Sequence, residues 1–205
     1  MHTAPRVVKR VQAEIETVKL IPDLKIIRPK IFPDERGFFC ESYNCEEWAK
    51  ELNFHEVFKQ DNHSYSKYGV IRGLHSQPGM GKLVSVVSGQ IFDVAVDARV
   101  DSPTFGQWHA EILDAESKAN FWIPPGFLHG LQLNSIVFSA ISPEGAHVTY
   151  KCTAVYDPKT EFGIDIFDQS IGINWPIMEE DALIVSQRDR LHPGISSLKH
   201  GNPRG

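Results

Sequence analysis

The sequence predicts an all-β fold, a sandwich or closed barrel, and three observations carry that expectation. From Val57 to Thr153, short runs rich in Val, Ile, Phe, Tyr and Trp recur at fairly regular intervals. The segments between them, SGQ, DSPTFG, PPG and SPEG, have the composition of tight turns. After Ser88-Gly89 the chain alternates, with Ile91, Asp93, Ala95 and Asp97 on one face and Phe92, Val94 and Val96 on the other. That is the period of a strand, here the second arm of a hairpin.

Taken in order, residues 1–22 mix charges with Val, Ile and Leu and read as an N-terminal arm: a short helix, an added strand or a disordered lead. The run 24–32 (LKIIRPKIF) is β-branched, with Pro29 marking an edge or a bend. DERG (34–37) is a turn and 38–43 another short strand. The clearest helix is 45–52, where Trp48 and Leu52 share a face and Glu46 and Lys50 form an adjacent i,i+4 pair. Candidate strands follow at 57–64, 69–75, 82–89, 90–99, 108–113, 119–124, 126–133 and 147–153. Beyond about residue 158 the chain becomes loop-rich.

With 205 residues, 41% hydrophobic and 23% charged, the chain is long enough for one full core. A formal net charge of −5 argues against a nucleic-acid binder, which needs a basic face. No apolar run approaches the roughly 18 residues of a membrane helix, and the N-terminus lacks the pattern of a secretory signal. Cys40, Cys45 and Cys152 have no metal-ligand spacing and cannot all pair, so reduced thiols and a cytoplasmic location are expected.

The stretch from Gly69 to Leu83, GVIRGLHSQPGMGKL, places Arg72, His75 and Lys82 among glycines and apolar residues. A histidine moves protons near neutral pH, and nearby cations can hold an anion or a developing oxyanion. Arg36, Glu41, Gln60, Asn62, Asp93, His129 and Tyr150 are further polar residues at inward positions of apolar strands. Singly, each is more often a hydrogen-bonded core or surface residue. Together, three cations, two histidines and two carboxamides on strands this apolar ask for a common explanation.

The blocks DERGFFCESY, QDNHSYSKYGVIRGLHSQ, GKLVSVVSGQIFDVAVDARVDSPTFGQW, FWIPPGFLHG, TYK and GIDIFDQSIGINWP resemble, in this order, the dTDP-4-dehydrorhamnose 3,5-epimerase family. The resemblance covers roughly residues 24–190. It implies a cupin-type jelly-roll barrel with short peripheral helices, divided as an arm (1–22), an epimerase-like domain (23–190) and a C-terminal tail (191–205). It further implies a dTDP-sugar substrate, a homodimer with strands shared across the interface, and no metal or organic cofactor. By the same resemblance His75 is the general base, Asp189 orients and charges it, Tyr150 is the acid on the opposite face, and Lys82 and Arg72 line the sugar and its enolate oxygen. Arg36, Glu41, Gln60, Asn62, His129, Tyr156, Glu161 and Arg188 match nucleotide-sugar-binding positions, and Phe39 and Phe127 are expected to pack on the base or sugar. The connection between His129 and Tyr150 is longer than the family's usual one and carries an SPEGAH turn.

The implied reaction inverts carbons 3 and 5 of dTDP-4-dehydro-6-deoxy-D-glucose. A 4-ketone acidifies both neighbouring C–H bonds, so a base on one face and an acid on the other suffice. Three other readings compete. A single-centre epimerase of a related 4-keto sugar would share most of these residues. A non-catalytic nucleotide-sugar-binding barrel need not keep His75, Tyr150 and Asp189 together. A metal-dependent cupin wants two or three convergent histidines and a carboxylate, and His75 has no second histidine close by on its strand.

Overall fold

Two six-stranded sheets face each other across the main core, and a separate hairpin stands off them. The computed structural model describes residues 13–133, 145–176 and 183–200. The first sheet runs in the order β1 (Ala13–Thr17), β2 (Lys25–Pro29), β10 (Asn120–Ile123), β7 (Lys82–Ser88), β12 (Ala146–Cys152), β5 (Gln60–Ser66). The second has the order β13 (Phe162–Gly163), β6 (Val70–Ser76), β11 (Phe127–Leu133), β8 (Gln90–Asp97), β9 (Trp108–Asp114), with β14 (Ile184–Val185) added parallel to β6. Neighbours such as β10 and β2, far apart in sequence, give the crossing connections of a cupin-type jelly roll.

Between the sheets lie Ile26, Val84, Val86, Phe121, Ile123 and Val148 from one side and Ile91, Ala95, Leu113, Phe127 and Leu131 from the other. Both outer faces are also covered, which is why β8 and β10 are buried nearly throughout instead of alternating. Outside the first sheet, α1 (Cys45–Glu51) sets Trp48 against Phe54, Leu83 and Trp122. Asn44 caps α1 by accepting from the Glu46 and Glu47 amides, both at 3.1 Å. Outside the second sheet, Ile164, Ile166, Trp175 and Ile195 cover Leu74, Val94, Val96 and Leu128. The C-terminal part of the chain is therefore a lid on the second sheet, tied down where Asp168 accepts from the Ile195 amide at 2.6 Å.

Several boundaries differ from those expected. The 24–32 run breaks at Lys30 into β2 and β3 (Ile31–Asp34), and β3 leaves the sheet to pair with β4 (Gly37–Cys40). The expected strand 38–43 stops at Cys40, because Asn44 must turn to cap α1. The expected strand from Val57 begins at Gln60, since Phe58 is drawn into the aromatic cluster of Tyr43, Phe54 and Trp122. Residues 13–17 form the edge strand β1, paired with β2. Most of the long connection before Tyr150, residues 134–144, lies outside the described residues.

Candidate active site

β5, β7 and β12 present one polar wall. In register, Asn62 pairs Tyr150, Tyr150 pairs Val84, and Cys152 pairs both Gln60 and Lys82. Directly paired residues of antiparallel strands share a face, so Gln60, Asn62, Lys82, Tyr150 and Cys152 look the same way, into the space between the sheets. The opposite wall comes from β6 and β11, where His75 pairs His129. A cavity of about 330 Å³ opens between these walls, with Tyr156 and Glu161 at its rim.

His75 is fixed by a contact 114 residues distant in sequence: its Nε2 lies 2.7 Å from Asp189 Oδ1. Asp189 sits in the short helix α2 (Gln187–Arg190), whose cap Ser186 accepts from the Asp189 amide at 3.1 Å. Burial pushes the Asp189 carboxyl upward, but the hydrogen bond and charge of His75, with Ser186 and His192, outweigh it and hold it below the ordinary range. An ionised Asp189 accepts the hydrogen bond of His75 Nε2–H, which leaves Nδ1 as the free lone pair. Glu161 lies 3.9 Å from that Nδ1. It accepts from Tyr156 Oη at 3.1 Å and is ion-paired to Arg188. Burial opposes its charge, but Arg188, His75 and Tyr156 hold its carboxyl below the usual range.

On the facing wall, burial raises the Tyr150 hydroxyl, which the nearby Arg72 charge offsets only in part. Tyr150 is thus a phenol at neutral pH, able to donate. Burial lowers the Lys82 ammonium, although Cys152, Asp93 and Glu161 around it pull the other way. The site can accept a proton at His75, give one from Tyr150, and place a cation beside an oxygen between them.

The expected residues divide into four groups. Gln60, Asn62, His75, Lys82, Tyr150, Tyr156 and Glu161 meet at the cavity, with Asp189 behind His75 and Arg188 behind Glu161. Gln60 and Asn62 are held in place: Gln60 Oε1 accepts from the Tyr156 amide at 2.8 Å, and its amide nitrogen donates to Asn62 Oδ1 at 2.9 Å. Arg72 turns to Ser66 Oγ at 2.8 Å and the Tyr65 carbonyl, while His129 is buried against Asp93, 2.7 Å from Nε2 to Oδ1. Arg36, Phe39 and Glu41 belong to the β3–β4 hairpin and its exit, and none of them lines this chain's cavity. Phe39 is 66% exposed. Phe127, expected against the base or sugar, is instead buried in the main core with Arg99 over its ring.

Two participants escaped the sequence reading. Asp93 was legible as inward-facing but given no role; it anchors His129 and contributes to the field at Lys82. His192, at the end of α2, stands edge-on to the His75 ring at 5.5 Å, and its Nε2 is 3.9 Å from Asp189 Oδ1. The second histidine that the sequence did not place near His75 is therefore present, brought by the C-terminal lid. Among the described residues, His75, Asp189 and His192 are the His, Cys, Asp or Glu side chains close enough together to hold a metal ion.

A jelly-roll barrel with an imidazole–carboxylate pair on one wall and a phenol and ammonium on the other defines a proton-transfer enzyme of the cupin-type fold. The family profile of dTDP-4-dehydrorhamnose 3,5-epimerases matches residues 19–197, and the chain belongs to that family. It is 49% identical over 162 residues to the dTDP-4-dehydrorhamnose 3,5-epimerase of Salmonella typhimurium, covering 78% of this chain and 84% of that protein. It superposes on the dTDP-6-deoxy-D-glucose-3,5-epimerase of Legionella pneumophila, solved with dTDP-4-keto-L-rhamnose, with TM-score 0.81 and 44% identity, over 90% of this chain and 93% of that one. A 3'-monoepimerase of Streptomyces bikiniensis, solved with dTDP-quinovose, is similar at TM-score 0.79 and 27% identity, over 91% and 90% of the two chains.

Proposed function

We propose that this protein epimerises dTDP-4-dehydro-6-deoxy-D-glucose at carbons 3 and 5, giving dTDP-4-dehydro-L-rhamnose in dTDP-rhamnose biosynthesis. The observation that carries the reading is the opposition of His75, backed by Asp189, to Tyr150 across one cavity. His75 Nδ1 removes the proton beside the ketone, and the electron pair moves onto the ketone oxygen as an enolate. Lys82 stabilises that oxygen. Tyr150 gives a proton to the opposite face of the carbon, after which His75 releases its extra proton to solvent and the Tyr150 phenolate takes one back. The same pair serves both carbons in turn.

Binding of the nucleotide diphosphate positions the sugar for both inversions. Gln60, Asn62, Tyr156, Glu161 and Arg188 surround the cavity mouth of this chain. Arg36, Phe39 and Glu41 complete the dTDP site from a second protomer, in a homodimer that places the β3–β4 hairpin of each over the other's cavity. The exposure of Phe38 and Phe39, and the absence of hairpin residues from the lining of this chain's cavity, support that arrangement. A cytoplasmic location accords with three unpaired cysteines.

The test is incubation with the keto sugar in deuterated water. Deuterium at carbons 3 and 5 with inversion at both is expected, and no exchange at either carbon would defeat the enzyme reading. Likeness to a 3'-monoepimerase favours one second reading, a single-centre epimerase. Deuterium at carbon 3 alone would select it.

A further inference from the structure

We infer that His75, Asp189 and His192 form a chelating site for a late first-row divalent ion such as zinc, and that occupation of this site switches the enzyme off. Two imidazoles and a carboxylate, with their donor atoms all within 4.8 Å of one another, are a ligand set suited to zinc and its neighbours. Metal–ligand bonds of about 2.0–2.2 Å in a tetrahedral site put donor atoms roughly 3.4 Å apart. The His75–Asp189 separation of 2.7 Å must open slightly, the His192–Asp189 separation of 3.9 Å must close, and the His75–His192 pair, within 4.8 Å, must settle near the same spacing. Rotations of the three side chains supply these changes.

His192 is held at this spot. Gly163 pairs with His75 in register, and a Cβ there would lie 2.3 Å from His192 Nε2, so the absence of a side chain gives the ring its place. The Pro193 carbonyl beside it accepts from the Asp165 amide at 2.9 Å. His192 Nε2 is itself buried with no hydrogen-bond partner among the described residues, 3.9 Å from Asp189 Oδ1.

The consequence for catalysis rests on the reaction proposed above. In the active tautomer the one proton of neutral His75 is on Nε2, bonded to Asp189, and Nδ1 is the base. A metal takes the Nε2 lone pair, so that proton must reside on Nδ1. The ring keeps its charge state but loses its basic face toward the sugar, and Asp189 is withdrawn to the metal.

The experiment has two arms on the full-length protein. Cobalt(II), titrated into the sugar-free protein, should give the intense visible absorption of a low-coordinate nitrogen–oxygen site, and zinc should displace it. In the second arm, zinc should inhibit epimerisation reversibly on adding EDTA, each variant being normalised to its own metal-free rate. His192→Asn and His192→Gln should lose the cobalt absorption and need about tenfold more zinc or higher for the same inhibition. His63→Ala should change neither, although His63 and His147 make another close pair, 2.9 Å apart, on the outer face of the first sheet. Equal zinc sensitivity in wild type and both His192 variants, or a cobalt signal that follows His63 instead, overturns the inference. A His192-dependent cobalt signal in a protein without epimerase activity would uphold the site and reject the reaction.

Discussion

At the scale of the residue, His75→Asn should lower deuterium exchange at both carbons by at least about 100-fold, while dTDP binding changes little. Rate and binding, measured by NMR and calorimetry, check this, and a near wild-type rate would move the base elsewhere. Tyr150→Phe should separate the two halves of the reaction, with proton removal persisting and inverted product falling away. Lys82 predicts a pH effect. Its ammonium must be charged to hold the enolate, and burial lowers its pKa from the ordinary amine value. Activity should therefore decline on the alkaline side earlier than an unperturbed lysine allows, and Lys82→Arg, if active, should shift that limb upward. His75, Lys82 and Tyr150 could be found in the sequence because each lies within a short, specific block. Of their partners, Asp189 is reached only through the family resemblance, and the parts played by His192 and Asp93 not at all, because no local spacing joins these residues to the histidines they meet.

At the scale of the element, the turn after β8 is built on one carboxylate. Asp97 accepts from Arg99, from Ser102 Oγ and from Thr104 Oγ1, the two hydroxyls at 2.6 Å. Burial works against its charge, but these donors bring its pKa down to about 2. A depressed carboxylate pKa stabilises the fold above the unfolded value near 4 and loses that contribution as pH falls toward the folded value. Asp97→Asn should cost about 2 kcal/mol and flatten the acid limb of Tm between roughly pH 4 and 2, which thermal melts across that range will read. The DSPTFG turn was legible, because its residue types are those of turns. The hub was not, since Asp97 read only as the last inward residue of an alternating strand. Gly73 shows the same limit: a Cβ there would meet Gly130 Cα at 2.5 Å, a close approach of β6 and β11 that only the pairing discloses.

At the scale of the whole molecule, the two-sheet barrel followed from the strand count, the turns and the family blocks. The outer layers did not. The α1 cluster and the C-terminal lid bury faces that period-2 reasoning assigns to solvent, so β8 and β10 break the alternation. The proposed dimer makes its own prediction. Arg36→Ala should raise KM several-fold with kcat nearly unchanged, because Arg36 would serve the nucleotide of the partner and not the reacting carbons. Light scattering should give twice the chain mass, and a monomeric, fully active protein would refute the shared site.

The lid also sets a schedule. Asp189 and the Asp168–Ile195 tie that fastens its neighbourhood lie near the C-terminal end of the described chain, whereas His75 lies in the first half. A chain emerging from the ribosome can pair β6 with β11 long before Asp189 exists to polarise the imidazole. The base is therefore armed only after the segment carrying Asp189 has been made, and a product truncated near residue 185 should lose proton transfer at His75 together with part of the cover on the second sheet.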